Sequence, residues 1–181
     1  MRARDIPNLI TIGRIVLVVP VTWVLLDERY ALALALFFIA GFSDALDGFL
    51  AKHYHWTSRL GALLDPLADK ALLISCYAAL TWNGLLPAWL LALVVLRDVV
   101  IVAGAVIYNY RIERLEAEPT LASKLNTFLQ ILLVLTVLFI QVTGYGNVQW
   151  ITWLVYAVTA SILWSGLGYV ITWGRRARDH S

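Results

Sequence analysis

Long apolar runs, each close to the roughly 20 residues that a bilayer-spanning helix needs, alternate with short polar breaks along the whole chain. Read against those breaks, the pattern predicts helices from Asn8 to Leu26, Ala31 to Ala51, Leu60 to Trp82, Pro87 to Tyr110, Leu121 to Val142 and Val148 to Trp173. The first run opens with basic residues, as a signal peptide does. No small-x-small cleavage site closes it before the polar Asp27-Glu28-Arg29, so it reads as a first helix. The expected fold is an all-α integral membrane protein: a six-transmembrane-helix bundle filling residues 1–181 as a single membrane domain.

Composition agrees, since the 181 residues are 61% hydrophobic and 14% charged, with a mean hydropathy of +0.77. That is well beyond a soluble domain. Charge adds an orientation. Arg2, Arg4, Lys52, Arg59, Arg111, Arg114, Arg175, Arg176 and Arg178 fall in connections on one side, and Arg29 faces the other, so both termini are expected in the cytoplasm. Tyr30, Trp56, Trp82, Tyr110, Tyr145, Trp150 and Trp173 fall at predicted helix ends, the level that amphipathic rings favour. The single cysteine, Cys76, lies in an apolar run and reads as core packing. The net charge of +2 carries no basic stripe, and nothing points to nucleic acid.

Against this background the stretch "SDALDGFLAKHYHWTSRLGALLDPLADK" stands out, with Asp44, Asp47, Asp65 and Asp69 close together. A carboxylate on a membrane helix costs about 2.5 to 3.5 kcal/mol on insertion scales, so four of them need compensation. Asp44 and Asp47 are three residues apart on the second helix, and Asp65 and Asp69 four apart on the third. Each pair therefore projects from one helical face. A short basic loop makes the two helices antiparallel neighbours, and at about 1.5 Å per residue the acidic groups lie roughly 10 Å from the cytoplasmic ends. The expectation is a cavity open to the cytosol in which two divalent cations, Mg²⁺ or Mn²⁺, keep the carboxylates ionised.

Around the cluster several residues read two ways. Gly48 and Gly61 serve either a ligand's approach to the backbone or close helix packing. Lys52 either meets a phosphate or snorkels to the interface, and Lys70 pairs with a carboxylate or with phosphate. On the first helix Asn8, Thr11 and Arg14 share one side at three-residue spacing, which suits either contact with the cytoplasmic ends of other helices or a plain interfacial turn. Arg97 and Asp98, mid-span in the fourth helix, read as a structural ion pair or as an arm of the polar site. Ala157, Ser161 and Ser165 form a small-residue stripe suited to helix packing.

Asp44-x-x-Asp47-Gly48-x-x-Ala51-Lys52, eight residues, then Gly61-x-x-x-Asp65-x-x-x-Asp69 resembles the signature of the CDP-alcohol phosphatidyltransferases. The departure is Lys52, where that family usually has arginine, which keeps the charge but loses the bidentate fork. The resemblance implies a homodimeric membrane enzyme that moves a phosphatidyl group from CDP-diacylglycerol to an alcohol and releases CMP. It also implies that Asp44, Asp47 and Asp65 hold two divalent metals, with Asp69 as the base for the acceptor hydroxyl and a sharer in the metal shell. Gly48, Ala51, Lys52 and Gly61 then line the cytidine diphosphate, and Asn8 and Thr11 are expected beside them.

For the acceptor, Ser123-Lys124-Leu125-Asn126-Thr127 resembles the Ser-Lys-x-Asn-Thr run of eukaryotic-type cardiolipin synthases, whose acceptor is phosphatidylglycerol. Members that use glycerol 3-phosphate carry a second lysine in this run, so one cation here suits a phosphodiester. Lys124 and Asn126 are the expected acceptor contacts. Arg111 and Arg114 are further candidates that would restore charge for glycerol 3-phosphate, the alternative acceptor. A divalent-cation transporter also puts carboxylates in a bundle, yet beyond Lys70 the third helix runs "ALLISCYAALTW" without a charge to make a route across. No organelle transit signal is visible, which points to a bacterial inner membrane with the active site facing the cytoplasm.

Overall fold

A computed structural model of the chain describes residues 6–54, 59–111 and 121–179, with side-chain surroundings for 11–43, 67–101 and 121–166. Six α-helices follow one another: α1 (Ile6–Leu26), α2 (Tyr30–Tyr54), α3 (Arg59–Trp82), α4 (Ala88–Arg111), α5 (Leu121–Thr143) and α6 (Val148–Asp179). No strand occurs among the described residues. Most ends fall where the apolar runs end, but α6 continues past the expected Trp173. Its extension, "GRRARD", is rich in good helix formers whose positive charges suit the negative end of the helix dipole.

Local chemistry explains the turns. At the end of α1 the Arg29 amide donates to the Val24 carbonyl and the Glu28 amide to that of Leu25, both at 3.0 Å. This is the Schellman arrangement, and it puts Glu28 in the left-handed region at φ 59°. The end of α3 repeats it, the Leu85 amide donating to Leu80 and the Gly84 amide to Thr81, but here a glycine takes the left-handed position at φ 73° at no steric cost. Asn83 then donates from Nδ2 to the same Leu25 carbonyl at 2.7 Å, filling its second lone pair and tying the end of α3 to the end of α1. Asn147 caps α6, its Oδ1 accepting from the Gln149 amide at 2.9 Å.

The chain divides into two compact units. In the first, formed by α1, α2, α3 and the end of α5, α1 packs against both α2 and α3. Its core holds Val21, Leu25, Ala33, Phe37, Ala40, Ala68, Leu72, Tyr77 and Leu80, and the alanines let the backbones approach closely. Cys76 is fully buried here as a free thiol, which fits its reading as core. In the second unit, formed by α4, most of α5 and α6, α4 packs against α6. Leu90, Val94, Leu133, Val158 and Ile162 are buried there together with a polar group described below.

Many large apolar side chains also face outward among the described residues. Val16, Val19, Trp23, Phe38, Phe42, Phe128, Trp153 and Trp164 are all exposed, a surface that water would not favour and hydrocarbon would. Among the described residues, Leu121–Thr143 and Val148–Gly166 are long and apolar enough to cross a membrane. Only 33% and 28% of their apolar windows are buried, so neither is the core helix of a soluble protein. Trp82, Tyr145 and Trp150 stand exposed at helix ends, where the aromatic belt was expected.

Candidate active site

The acidic motif lies on two continuous helices. Asp44 and Asp47 are in α2, and Asp65 and Asp69 are in α3, so the three- and four-residue spacings translate into one face on each helix. Helix α2 extends to Tyr54 and so includes Ala51 and Lys52, while α3 starts at Arg59 and includes Gly61. The surroundings of Asn8, Asp44, Asp47, Gly48, Ala51, Lys52, Gly61, Asp65 and Arg111 lie outside the described side chains, and Arg114 lies outside the described residues. Among the described residues no three acidic, histidine or cysteine side chains gather into a metal site. Asp69 is the one member of the acidic set whose side chain is described.

Asp69 is held by Arg14. The guanidinium Nη1 of Arg14 on α1 donates to Oδ1 of Asp69 on α3, a contact between residues 55 positions apart. The two ends of this pair differ sharply in environment, for the Arg14 side chain is 1% exposed and that of Asp69 is 48% exposed. The cation is sunk in the packing of α1 while its counter-ion faces outward. Thr11, one turn before Arg14, is buried too, so the two described members of the expected polar side of α1 do face the bundle. Their three-residue spacing announced the side but not the partner, and a lone arginine within an apolar helix was the signal that a carboxylate had to be near.

The second unit holds a separate polar group. On α4, Arg97 Nη1 donates to Oδ1 of Asp98 at 2.8 Å. Its Nη2 donates to Ser123 on α5 at 2.7 Å and to Ser165 on α6 at 3.1 Å. Arg97 and Asp98 are both buried, so one guanidinium ties all three helices of this unit from the inside. Beside it the Ser161 hydroxyl lies 2.8 Å from both Oδ1 of Asn126 and the Val158 carbonyl, and donates to one at a time. The serines of α6 are therefore packing residues that also bond. The two acceptor candidates part company here: Asn126 is fully buried between α5 and α6, whereas Lys124 is exposed.

Residues 4–164 match the family model described as CDP-alcohol phosphatidyltransferase. The chain is 35% identical over 158 residues to the cardiolipin synthase (CMP-forming) of Rattus norvegicus, covering 78% of this chain and 52% of the relative. It is likewise 35% identical, over an alignment of 189 residues, to the CDP-diacylglycerol–glycerol-3-phosphate 3-phosphatidyltransferase 1, chloroplastic, of Oryza sativa subsp. japonica, covering 94% of this chain and 57% of the relative. The protein of Escherichia coli (strain K12) with the same activity in its name is 36% identical over 112 residues, 55% of this chain and 57% of that one. The chain thus spans about half the length of these relatives, and two different activities appear among their names.

Proposed function

This chain belongs to the CDP-alcohol phosphatidyltransferase family, and from that premise we propose that it transfers a phosphatidyl group from CDP-diacylglycerol to an alcohol acceptor, releasing CMP. The observation that carries the proposal is the spacing of the four aspartates, which puts two pairs of carboxylates on one face each of α2 and α3 within the family match. The family is generally dependent on divalent cations, and a donor set made only of carboxylate oxygens suits Mg²⁺ or Mn²⁺. Asp44, Asp47 and Asp65 are the residues that would hold two such ions, which when bound neutralise the oxygens of the diphosphate.

In the proposed reaction the acceptor hydroxyl oxygen attacks the phosphorus that carries diacylglycerol. Its bond to that phosphorus forms as the bond to the CMP phosphate oxygen breaks. Asp69 takes the hydroxyl proton and gives it up to solvent. Asp69 suits that role because its carboxylate is exposed although the helix around it is packed, with Ala68 fully buried beside it. Gly48, Ala51, Lys52 and Gly61, together with Asn8 and Thr11, are assigned to the cytidine diphosphate. The enzyme is read as a homodimer of six-span subunits with cytoplasmic termini, its acyl chains in the bilayer and its nucleotide at the cytoplasmic side of an inner membrane. The uneven distribution of lysine and arginine supports that orientation.

Phosphatidylglycerol is the preferred acceptor, giving cardiolipin, because Lys124 is the lone lysine in the α5 run and a phosphodiester carries a single charge. Purified protein supplied with CDP-diacylglycerol, Mn²⁺ and either phosphatidylglycerol or glycerol 3-phosphate is expected to release CMP and form cardiolipin with the first. Phosphatidylglycerophosphate formed with the second would reverse the acceptor assignment, and no CMP with any alcohol would remove the transferase reading. Lys124→Gln is expected to raise the KM for phosphatidylglycerol by about tenfold or more, the loss of one charge-assisted contact, with the KM for CDP-diacylglycerol unchanged.

A further inference from the structure

Ser123, Lys124, Asn126 and Thr127 form one polar run of α5, and the fold uses them differently. Ser123 accepts from Nη2 of Arg97 on α4 at 2.7 Å, and Asn126 accepts through Oδ1 from Ser161 on α6 at 2.8 Å. Thr127 donates to the Ser123 carbonyl within the helix at 3.2 Å. Lys124 is exposed, about 200° around the helix from the fully buried Asn126. The lysine also breaks a local rule. It lies in the first turn of α5, where no acidic residue offsets it and where the positive end of the helix dipole disfavours a cation. Helix ends fray readily, so a first turn loaded in this way needs holding from outside the helix. From this arrangement we propose that Ser123 and Asn126 are positioning residues for Lys124: bonded to α4 and α6, they hold the first two turns of α5 and so fix where the Lys124 ammonium meets the acceptor's phosphodiester.

This inference rests on the reading of Lys124 as the acceptor contact. An ammonium on a flexible stem imposes no geometry of its own, so the backbone that carries it decides where its charge can reach. Both anchors come from the same compact unit as Lys124, and they reach α5 from two different helices. Hydrogen bonds suit this task because they are directional. Apolar side chains at 123 and 126 would pack there without fixing the rotation of the helix. Asn126, one of the two expected acceptor contacts, thereby acts on the acceptor through Lys124 rather than by touching it.

The test uses the full-length protein in detergent with CDP-diacylglycerol and phosphatidylglycerol. Ser123→Ala leaves Arg97 its bonds to Asp98 and Ser165, and Asn126→Ala leaves the Ser161 hydroxyl the Val158 carbonyl, so neither variant strands the partner across the helix interface. Each is expected to raise the KM for phosphatidylglycerol about fivefold, with kcat and the KM for CDP-diacylglycerol within about twofold of wild type. Ser123→Thr, which keeps the hydroxyl, is expected to bring the KM back to within about twofold of wild type. The two Ser123 variants alter a half-buried position and test the proposal independently of the packing around Asn126. In a Lys124→Gln background each alanine substitution is expected to add less than about twofold, because it acts through the lysine. Effects that multiply in the double variants would mean a direct contact with the acceptor, for which Asn126 has a buried Nδ2 without a hydrogen-bond partner among the described residues, and would overturn the proposal. So would a wild-type KM for phosphatidylglycerol in Ser123→Ala, a KM that rises for both substrates together, or Ser123→Thr behaving as Ser123→Ala does. Lys124→Gln with an unchanged KM for phosphatidylglycerol would instead remove the acceptor contact itself, so the two failures are told apart.

Discussion

Asp69→Asn is expected to lower phosphatidyl transfer by at least about 100-fold, the ordinary contribution of a positioned general base. The amide oxygen of asparagine can still accept from the Arg14 guanidinium, so the contact between α1 and α3 and the packing around Ala68 stay in place. What is removed is the ability to take a proton. CMP release under saturating CDP-diacylglycerol and phosphatidylglycerol reads the loss as kcat, and Mn²⁺ titration of the same sample reads whether metal binding survives. Retained turnover would strip Asp69 of its role as base. A collapse of Mn²⁺ binding together with turnover would show that Asp69 is needed as a ligand, and would move it into the group formed by Asp44, Asp47 and Asp65.

The second large effect is on stability. Arg97→Met leaves the buried Asp98 carboxylate without its guanidinium and removes the bonds to Ser123 and Ser165 that tie α4 to α5 and α6. Breaking one partner of a buried pair costs about 3 to 5 kcal/mol, mostly through the charge left behind. Replacing both, Arg97→Met with Asp98→Leu, is expected to return a large part of that loss, since two apolar side chains leave no charge to solvate. Reversible unfolding in mixed micelles measures both variants against wild type. Equal stability of wild type and Arg97→Met would mean that the pair braces nothing.

Helices and acidic motif alike were legible along the chain because both depend on short-range regularities. A helix in an apolar setting is set by one hydrogen-bond period and by what stands at its ends, and the breaks at Asp27, Asn83 and Gly144 lie where α1, α3 and α5 stop. The aspartate spacings needed only that same period to become faces. Where the reading fell short, as at the end of α6, helix-forming residues beyond the apolar run carried the helix on.

Pairings between helices were a different matter. The side shared by Thr11 and Arg14 was legible in sequence, but the contact of Arg14 with Asp69 follows from how α1 lies along α3. Lys124 and Asn126 sit two positions apart in one polar run, but about 200° around a helix separates them. Helix α6 brings Ser161 to Asn126, which turns Asn126 inward and leaves Lys124 exposed. The repeat of a helix says which residues share a side; which side meets which neighbour is a property of packing between segments far apart in the chain, where no local rule reaches.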